Sequence, residues 1–168
     1  MVKDEATPEE LKAMAHPLRL RILRLCLHEA RTNKELADRL GKDPATTLHH
    51  VRMLVRTGFL AAEAVRTGDR GALEKPYRAT GKSWHLNISR PEDQATEMLA
   101  VLDAVREEMF EAGPEHWLTG ARLGLRLTAA AAAELTERIE ALVKEYADRP
   151  ADADGTPHGL YVNLHRLA

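Results

Sequence analysis

The stretch "TNKELADRLGKDPATTLHHVRMLVRTGFL", residues 32–60, decides the fold of the first half of the chain. Its first four residues have the spacing of a capping box and predict a short helix that ends at Gly41. Asp43 followed by proline predicts the start of a longer helix, which ends at Gly58. Two helices joined by a short turn that contains glycine are typical of a helix-turn-helix.

The flanking residues extend this motif into a winged helix. Upstream, a capping box at Thr7 predicts a short helix to about Ala15, and a second helix starts at Pro17. Downstream, "FLAAEAVR", "TGDRG" and "KPYRAT" predict a strand, a turn and a returning strand. A β-hairpin that follows a helix-turn-helix forms the wing.

The helix that starts at Pro17 has one apolar face. Its stripe consists of Leu18, Ile22, Leu23, Cys26 and Leu27. Arg19, Arg21 and Arg24 lie mostly off this stripe. Because Cys26 lies on it, we expect a buried structural thiol and not a reactive one.

The second half begins with a long helix, from Pro91 to about Ala112. It carries a heptad seam formed by Met98, Leu102, Val105 and Met109. This spacing favours dimerisation, with core packing beneath another domain as the alternative. The residues that follow predict a strand at 121–128, an alanine-rich helix and a strand at 160–167.

The expected fold class is therefore mainly α with small β. A winged helix-turn-helix DNA-binding domain spans residues 1–88. A helical dimerisation region spans residues 89–168 and ends in the strand-helix-strand segment. Trp117, Tyr146 and Tyr161 either line an apolar effector pocket in this region or belong to ordinary core packing.

A helical wheel divides the residues of the long helix of the helix-turn-helix. With Val51 at the centre of the buried face, Leu48, Leu54 and Val55 fall within about 60° of it. The opposite face consists of Ala45, Thr46, His49, Met53 and Arg56. His50 and Arg52 lie on opposite flanks, about 100° from the centre.

This division predicts which side chains meet DNA. The first turns of such a helix contact base edges, so Thr46, Thr47 and His49 are candidates for sequence readout. Arg52 and Arg56 are expected on phosphates, which position the protein without reading sequence. The wing residues Arg66, Arg70 and Lys75 are expected on the adjacent backbone or in the minor groove. His50 is expected to be half-buried against the preceding helix, with a ring nitrogen bonded to backbone or phosphate.

The adjacent histidines do not suggest a metal or catalytic site. Neighbouring residues on a helix diverge by about 100°, and no two histidines of the chain have the i, i+4 spacing of a helical zinc pair. A metal site would need ligands from across the fold or from a dimer partner. No nucleophile motif, P-loop or dinucleotide-binding glycine pattern occurs. We therefore expect no catalytic residues, no enzymatic activity, no metal and no cofactor.

Charge is distributed unevenly along the chain. Residues 1–90 hold 17 lysines and arginines against 11 aspartates and glutamates, whereas residues 91–168 hold 7 against 15. A basic half joined to an acidic half indicates that the first half meets a polyanion, unless the segregation is chance. With one cysteine and no long apolar run, the chain is expected to be cytoplasmic and without membrane contact.

Residues 1–85 resemble the winged-helix repressors of the ArsR family. The resemblance rests on "AHPLRLRILRLC", on the whole of residues 32–60, and on "RTGDRGALEKPYRAT" for the wing. It implies a homodimeric, DNA-binding transcriptional regulator. The metal-sensing members carry cysteines near the first helix of the helix-turn-helix or at the C-terminus. Residues 32–40 contain neither cysteine nor histidine, so metal sensing is not carried over.

We expect the protein to be a homodimeric transcriptional regulator, and we expect it to act as a repressor. It inserts helix 43–57 into the major groove of double-stranded DNA at a palindromic operator and lays wing 66–78 along the backbone or minor groove. The C-terminal region either binds an unidentified small-molecule effector or only completes the dimer. The alternative is a winged-helix protein-interaction module that does not bind DNA.

Overall fold

The chain divides into two structural units, residues 1–117 and 118–168. The computed structural model describes residues 4–68, 71–150, 152 and 154–166. In chain order, the helices and strands of the first unit are β1 (Asp4–Glu5), α1 (Pro8–Met14), α2 (Pro17–Leu25), β2 (Arg31–Thr32), α3 (Asn33–Leu40), α4 (Pro44–Arg56), β3 (Leu60–Ala62), β4 (Arg66–Thr67), β5 (Leu73–Glu74), β6 (Pro76–Ala79), β7 (Leu86–Asn87) and α5 (Pro91–Ala112). This mainly helical architecture with small sheets is the winged helix-turn-helix expected from the sequence.

Side-chain caps fix the ends of α1 and α3. In α3, the Thr32 hydroxyl accepts from the Glu35 N–H at 3.2 Å, and the Glu35 carboxylate accepts from the Thr32 N–H at 2.6 Å. Thr7 and Glu10 form the same reciprocal pair at the start of α1. Gly41 ends α3 with a φ of 59°, in the left-handed region that glycine adopts at little cost.

The wing is two short sheets in succession. β3 and β6 pair antiparallel, with Leu60 opposite Ala79. β2, which the sequence did not predict, pairs with the other edge of β6. Farther out, β4 pairs with β5, with Arg66 opposite Glu74. A parallel pair of β1 with β7 was also not expected from the sequence.

The core of the first unit lies where α2, α3 and α4 meet the base of the wing. Its fully buried side chains include Ile22, Cys26, Leu36, Val51, Leu54 and Phe59. Burial raises the pKa of the Cys26 thiol to about 11, so the thiol is protonated at neutral pH.

Two of the arginines expected off the apolar stripe of α2 are buried. Arg21 donates to Glu107 at 2.6 Å and also to Glu111, both on α5. Arg19 reaches the backbone carbonyls at the end of α1. Helical periodicity alone does not predict these contacts, because the partners of both arginines lie on other helices.

The long helix α5 belongs to the first unit, although the sequence placed a boundary at residues 88 and 89. Its small residues Ala100 and Ala104 are buried, and its glutamates pair with Arg21 and Arg24 of α2. Packing and ion pairing therefore join α5 to the helix-turn-helix.

The predicted seam on α5 is only partly outward-facing. Leu102 and Met109 are 44% and 45% exposed, whereas Met98 and Val105 are half-buried. Leu99 and Phe110 are exposed in addition. The outer apolar face of α5 therefore consists of Leu99, Leu102, Met109 and Phe110.

The second unit contains α6 (Ala129–Asp148), capped by the Thr128 hydroxyl as expected. The sequence predicted strands at 121–128 and 160–167. This prediction is wrong, because no strand occurs among the described residues of either segment. Period-2 apolar residues make a strand only where another backbone completes the ladder. Leu123, Leu125 and Leu127 are all exposed.

The aromatic residues considered for an effector pocket are mostly accessible. Trp117 closes the first unit, and its indole N–H donates to the Met109 carbonyl at 3.4 Å. Tyr146 is exposed on α6, and Tyr161 is half-buried. An effector pocket formed by these residues stays a prediction.

None of the helices in the described part of the chain combines the length and the apolar character that crossing a bilayer requires.

We expect Gly41→Ala to destabilise the first unit by about 1 kcal/mol, through the left-handed backbone alone. A Cβ at this position meets nothing within 4 Å, so no clash contributes. Urea unfolding measures the change. Gly120→Ala is the matched control, because a Cβ there also meets nothing and its φ is not positive. Equal stability of the Gly41→Ala variant and the unsubstituted protein would contradict the role of this turn.

Candidate nucleic-acid interface

The start of α4 is fixed by its cap and by a contact from α3. Asp43 Oδ1 accepts from the backbone N–H groups of Ala45 and Thr46 at 2.8 and 3.1 Å. Asn33 at the start of α3 donates through Nδ2 to the Pro44 carbonyl at 3.0 Å. The turn between the two helices is therefore held at both sides, which sets the angle at which α4 leaves the domain.

One face of α4 lies in solvent along its whole length. Thr46, His49 and Arg56 are exposed, as the helical wheel predicts, and Arg52, which the wheel places on a flank, is exposed as well. Arg52 makes no ion pair among the described residues, whereas Arg56 lies 3.4 Å from a carboxylate oxygen of Glu9 on α1. This face presents a threonine and a histidine in its first turns and two cations farther along.

The wheel places two residues of this helix wrongly. Val55 is 38% exposed, and Met53 is half-buried against the core. Phe59 folds back beneath the end of α4, with its N–H bonded to the Leu54 carbonyl at 2.9 Å. The core therefore continues past the end of the helix on the side of Met53.

Thr47 was a candidate for contact with base edges, and the structure contradicts this prediction. Its side chain is fully buried, and its hydroxyl donates to the Asp43 carbonyl at 3.1 Å. A hydroxyl that is enclosed and already bonded cannot reach a base edge. Thr47 instead reinforces the first turn of α4.

His50 is buried more deeply than expected and against a different helix. It is 8% exposed, and its ring lies 4.6 Å from the ring of His16, which caps the start of α2. Arg19 Nη1 lies 3.4 Å from His50 Nδ1. Because a guanidinium only donates, Nδ1 must be the accepting nitrogen and the ring is neutral. The sequence expected the preceding helix, α3, as the neighbour.

Burial and nearby positive charge lower the pKa of His50 and of His16. Burial lowers the pKa of His50 to about 4, and the charges of His16, Arg19 and His49 add to the effect. Burial also lowers the pKa of His16, with a further contribution from Arg19. His50 is therefore a neutral positioning residue beneath the exposed His49, not a surface ligand for phosphate.

The wing cations differ in whether they already form ion pairs within the protein. Arg66 donates to Glu35 of α3 at 2.5 Å and to Glu74 across the hairpin at 3.3 Å, and the charge of Glu35 raises its pKa. Lys75 is exposed and makes no ion pair among the residues that the structure describes. Arg70 lies outside the described residues.

Several cations near α4 were not singled out from the sequence. Arg39 at the end of α3 and Lys42 in the turn are exposed, with no ion pair within the described ranges. Their position beside the cap of α4 is the sequence signal that could have identified them. Lys82, by contrast, donates to the Thr57 carbonyl at 2.8 Å and pairs with Glu10, so it is committed to the fold.

The described residues contain no group of three histidine, cysteine, aspartate or glutamate side chains that could hold a metal ion.

Residues 14–62, which include α2, α3 and α4, match the family model of a helix-turn-helix domain. The chain contains a helix-turn-helix domain. No curated protein matches the chain.

Several solved structures are similar to this chain. Reduced HlyU from Vibrio cholerae N16961 is 27% identical over 53% of this chain and 78% of its own, with a TM-score of 0.35. Rv0081 of M. tuberculosis is 28% identical over 60% and 84%, with a TM-score of 0.33. The adhesin competence repressor AdcR from Streptococcus pyogenes is 17% identical over 79% and 81%, with a TM-score of 0.34. The helix-turn-helix rests on the family match and on the arrangement of α3 and α4.

We expect stability to fall as the pH falls from about 6.5 towards 4, with His50 as a main cause. Unfolded histidine binds a proton near pH 6.5, whereas folded His50 binds one only near pH 4. Between these values the unfolded state holds more protons, so protonation favours unfolding. Urea unfolding at pH 7 and at pH 4.5 should differ by roughly 1–2 kcal/mol from this residue.

His50→Gln should remove most of that contribution while keeping an acceptor for Arg19. His49→Gln is the matched control, because the neighbouring ring is exposed. An equal pH dependence in both variants would show that the buried histidine does not carry the effect.

Proposed function

We propose that the chain is a DNA-binding transcriptional regulator of the winged helix-turn-helix type, resembling the ArsR family and acting as a homodimeric repressor. The observation that carries the proposal is the outward face of α4, where Thr46, His49, Arg52 and Arg56 are exposed on a helix anchored by its other face. The second helix of a helix-turn-helix enters the major groove with its first turns towards the bases. The match of residues 14–62 to a helix-turn-helix domain supports this docking.

Each side chain of the outward face has a distinct role in this docking. Thr46 and His49 contact base edges, since they lie in the first turns of α4. Arg52 and Arg56 bind phosphates and set the register, and Arg39 and Lys42 add phosphate contacts beside the cap. Lys75 and Arg66 of the wing follow the backbone or minor groove, and Arg70 belongs to the same proposed set. The proposal assigns no enzymatic role to any of them.

The outer apolar face of α5 is the proposed dimer contact. Large exposed apolar side chains at helical spacing favour packing against a second helix of the same kind. A two-fold dimer would bring two copies of α4 to the same side of the duplex. It would then read half-sites about one helical turn, or a multiple of it, apart.

The decisive experiment is selection of bound sequences from a random duplex pool by the full-length protein. The expected outcome is an inverted repeat, bound with an affinity that falls steeply as salt rises, because released counterions drive part of the binding. If no sequence were enriched and retention of DNA did not depend on salt, the proposal would be wrong. The alternative, a winged-helix protein-interaction module that does not bind DNA, would then be favoured.

We expect Arg52→Glu to weaken operator binding by tenfold or more and to lower the salt slope by about 1 per lost phosphate contact. Fluorescence anisotropy at several salt concentrations measures both quantities. Arg138→Glu on α6 makes the same charge change in the acidic half and should leave binding unchanged. If the two reversals had equal effects, the contribution would be net charge and not a contact by α4.

We expect Thr46→Ala and His49→Ala to alter sequence preference more than overall affinity. Loss of one base contact costs about 1–3 kcal/mol on the preferred base pair and little on others. Repeating the selection with each variant should show relaxed preference at one position in each half-site. An unchanged motif in both variants would place base readout elsewhere.

We expect Leu102→Glu to shift the protein from dimer to monomer, because a carboxylate in an apolar contact must be desolvated. Analytical ultracentrifugation measures the assembly. Thr136→Glu on α6 is the control for added charge, since Thr136 is exposed. A dimer that survives the Leu102 substitution would move the interface away from this face.

A further inference from the structure

We propose that the first unit holds a binding site for a small neutral aromatic molecule that carries one N–H or O–H donor. The site is a cavity of about 150 Å³ between α2, α5 and the turn at Lys82–His85. It is separate from the aromatic residues that the sequence suggested for an effector. Its regulatory meaning rests on the proposed function, but the binding itself does not.

The cavity results from the way α5 packs on α2. α5 meets the rest of the unit through the buried methyl groups of Ala100 and Ala104. The adjacent Val101 and Val105 are half-buried and line a space that Leu20 and Leu23 border from α2. The cavity is partly open to solvent, and its volume is about that of an apolar cavity that holds benzene.

An aromatic side chain stands at the mouth of the cavity. Trp84 lines it from the turn and is 57% exposed, so one part of the indole faces the cavity region and another faces solvent. Phe59, fully buried, contributes a second aromatic wall. Ring pairs gain from offset or edge-to-face contact beyond simple burial, which favours an aromatic occupant over an aliphatic one.

The polar groups of the cavity select for a neutral donor. Arg24 Nε and Glu108 Oε1 are 3.8 Å apart, too far for a hydrogen bond, so the carboxylate retains accepting capacity. The neighbouring Arg21 is already occupied by Glu107 and Glu111. Since one cation and one carboxylate line the cavity, an N–H or O–H that donates to Glu108 adds a bond without adding charge.

Partial burial of Glu108 agrees with this role. Burial raises the pKa of its carboxyl group, while the charges of Arg24 and Arg21 act in the opposite direction. A carboxylate in such a setting gains more from a donated hydrogen bond than one in open solvent.

The site lies between elements with different proposed tasks. α5 carries the proposed dimer face, and α2 contacts α4 through the cluster of Arg19 and His50. A molecule that contacts Val101 and Leu23 at once would therefore favour one spacing of α5 and α2 over others.

Phenol, indole and toluene titrated into the DNA-free full-length protein test the site. Calorimetry should show saturable binding of phenol and indole at one site per chain, with dissociation constants of about 0.1–1 mM for molecules of this size. Val101→Phe, which fills the cavity, should weaken all three by tenfold or more without lowering the melting temperature. Val143→Phe is the matched control, because it makes the same substitution at an exposed position of α6.

Glu108→Leu separates the polar contact from the apolar one, because it removes the accepting oxygens. It should weaken phenol and indole about fivefold and should not weaken toluene. Absence of saturable binding, unchanged binding by the Val101→Phe variant, or unchanged phenol and indole binding by the Glu108→Leu variant would each overturn the proposal. Because no DNA is present, these outcomes are independent of whether the protein binds an operator.

Discussion

A buried guanidinium fixes where the exposed helix of the helix-turn-helix sits. Arg19 is almost fully enclosed and donates to the carbonyls of Lys12 and Ala13 at the end of α1 and, at 3.4 Å, to the ring of His50 on α4. The carbonyl end of a helix is a favourable place for a cation, which offsets the burial that lowers the pKa of Arg19. Three helices are thereby joined at one side chain, and His50 must stay neutral for the arrangement to hold.

Local signals were sufficient to predict most of the first unit. The capping boxes at Thr7 and Thr32, the proline after Asp43 and the left-handed Gly41 each act within a few residues, so the sequence alone locates the helices that they delimit. The exposed positions of α4 followed from the same short-range geometry. Thr46, His49 and Arg56 lie where a helical wheel puts them, on the exposed face.

Features that depend on distant partners could not be predicted in this way. The burial of Arg21 requires glutamates 86 and 90 residues later in the chain. Thr47 cannot contact a base, because its hydroxyl donates to the Asp43 carbonyl at the helix cap. Val55 is exposed and Met53 is half-buried, the reverse of the prediction, because the core continues at Phe59. The alternating leucines of 121–128 indicate a strand, but a strand needs a second backbone that the pattern does not specify.

The ion pairs of Arg66 have a consequence for how the protein would search DNA. This wing arginine already holds Glu35 and Glu74, so approach to a random phosphate exchanges one anion for another and releases little free energy. On the proposed docking, the wing gains a net contact only where the backbone passes close enough to replace both carboxylates while α4 is seated. On that proposal Arg66 would add little to the affinity for non-operator DNA, which would instead depend on exposed cations without ion pairs among the described residues, such as Arg52 and Lys75.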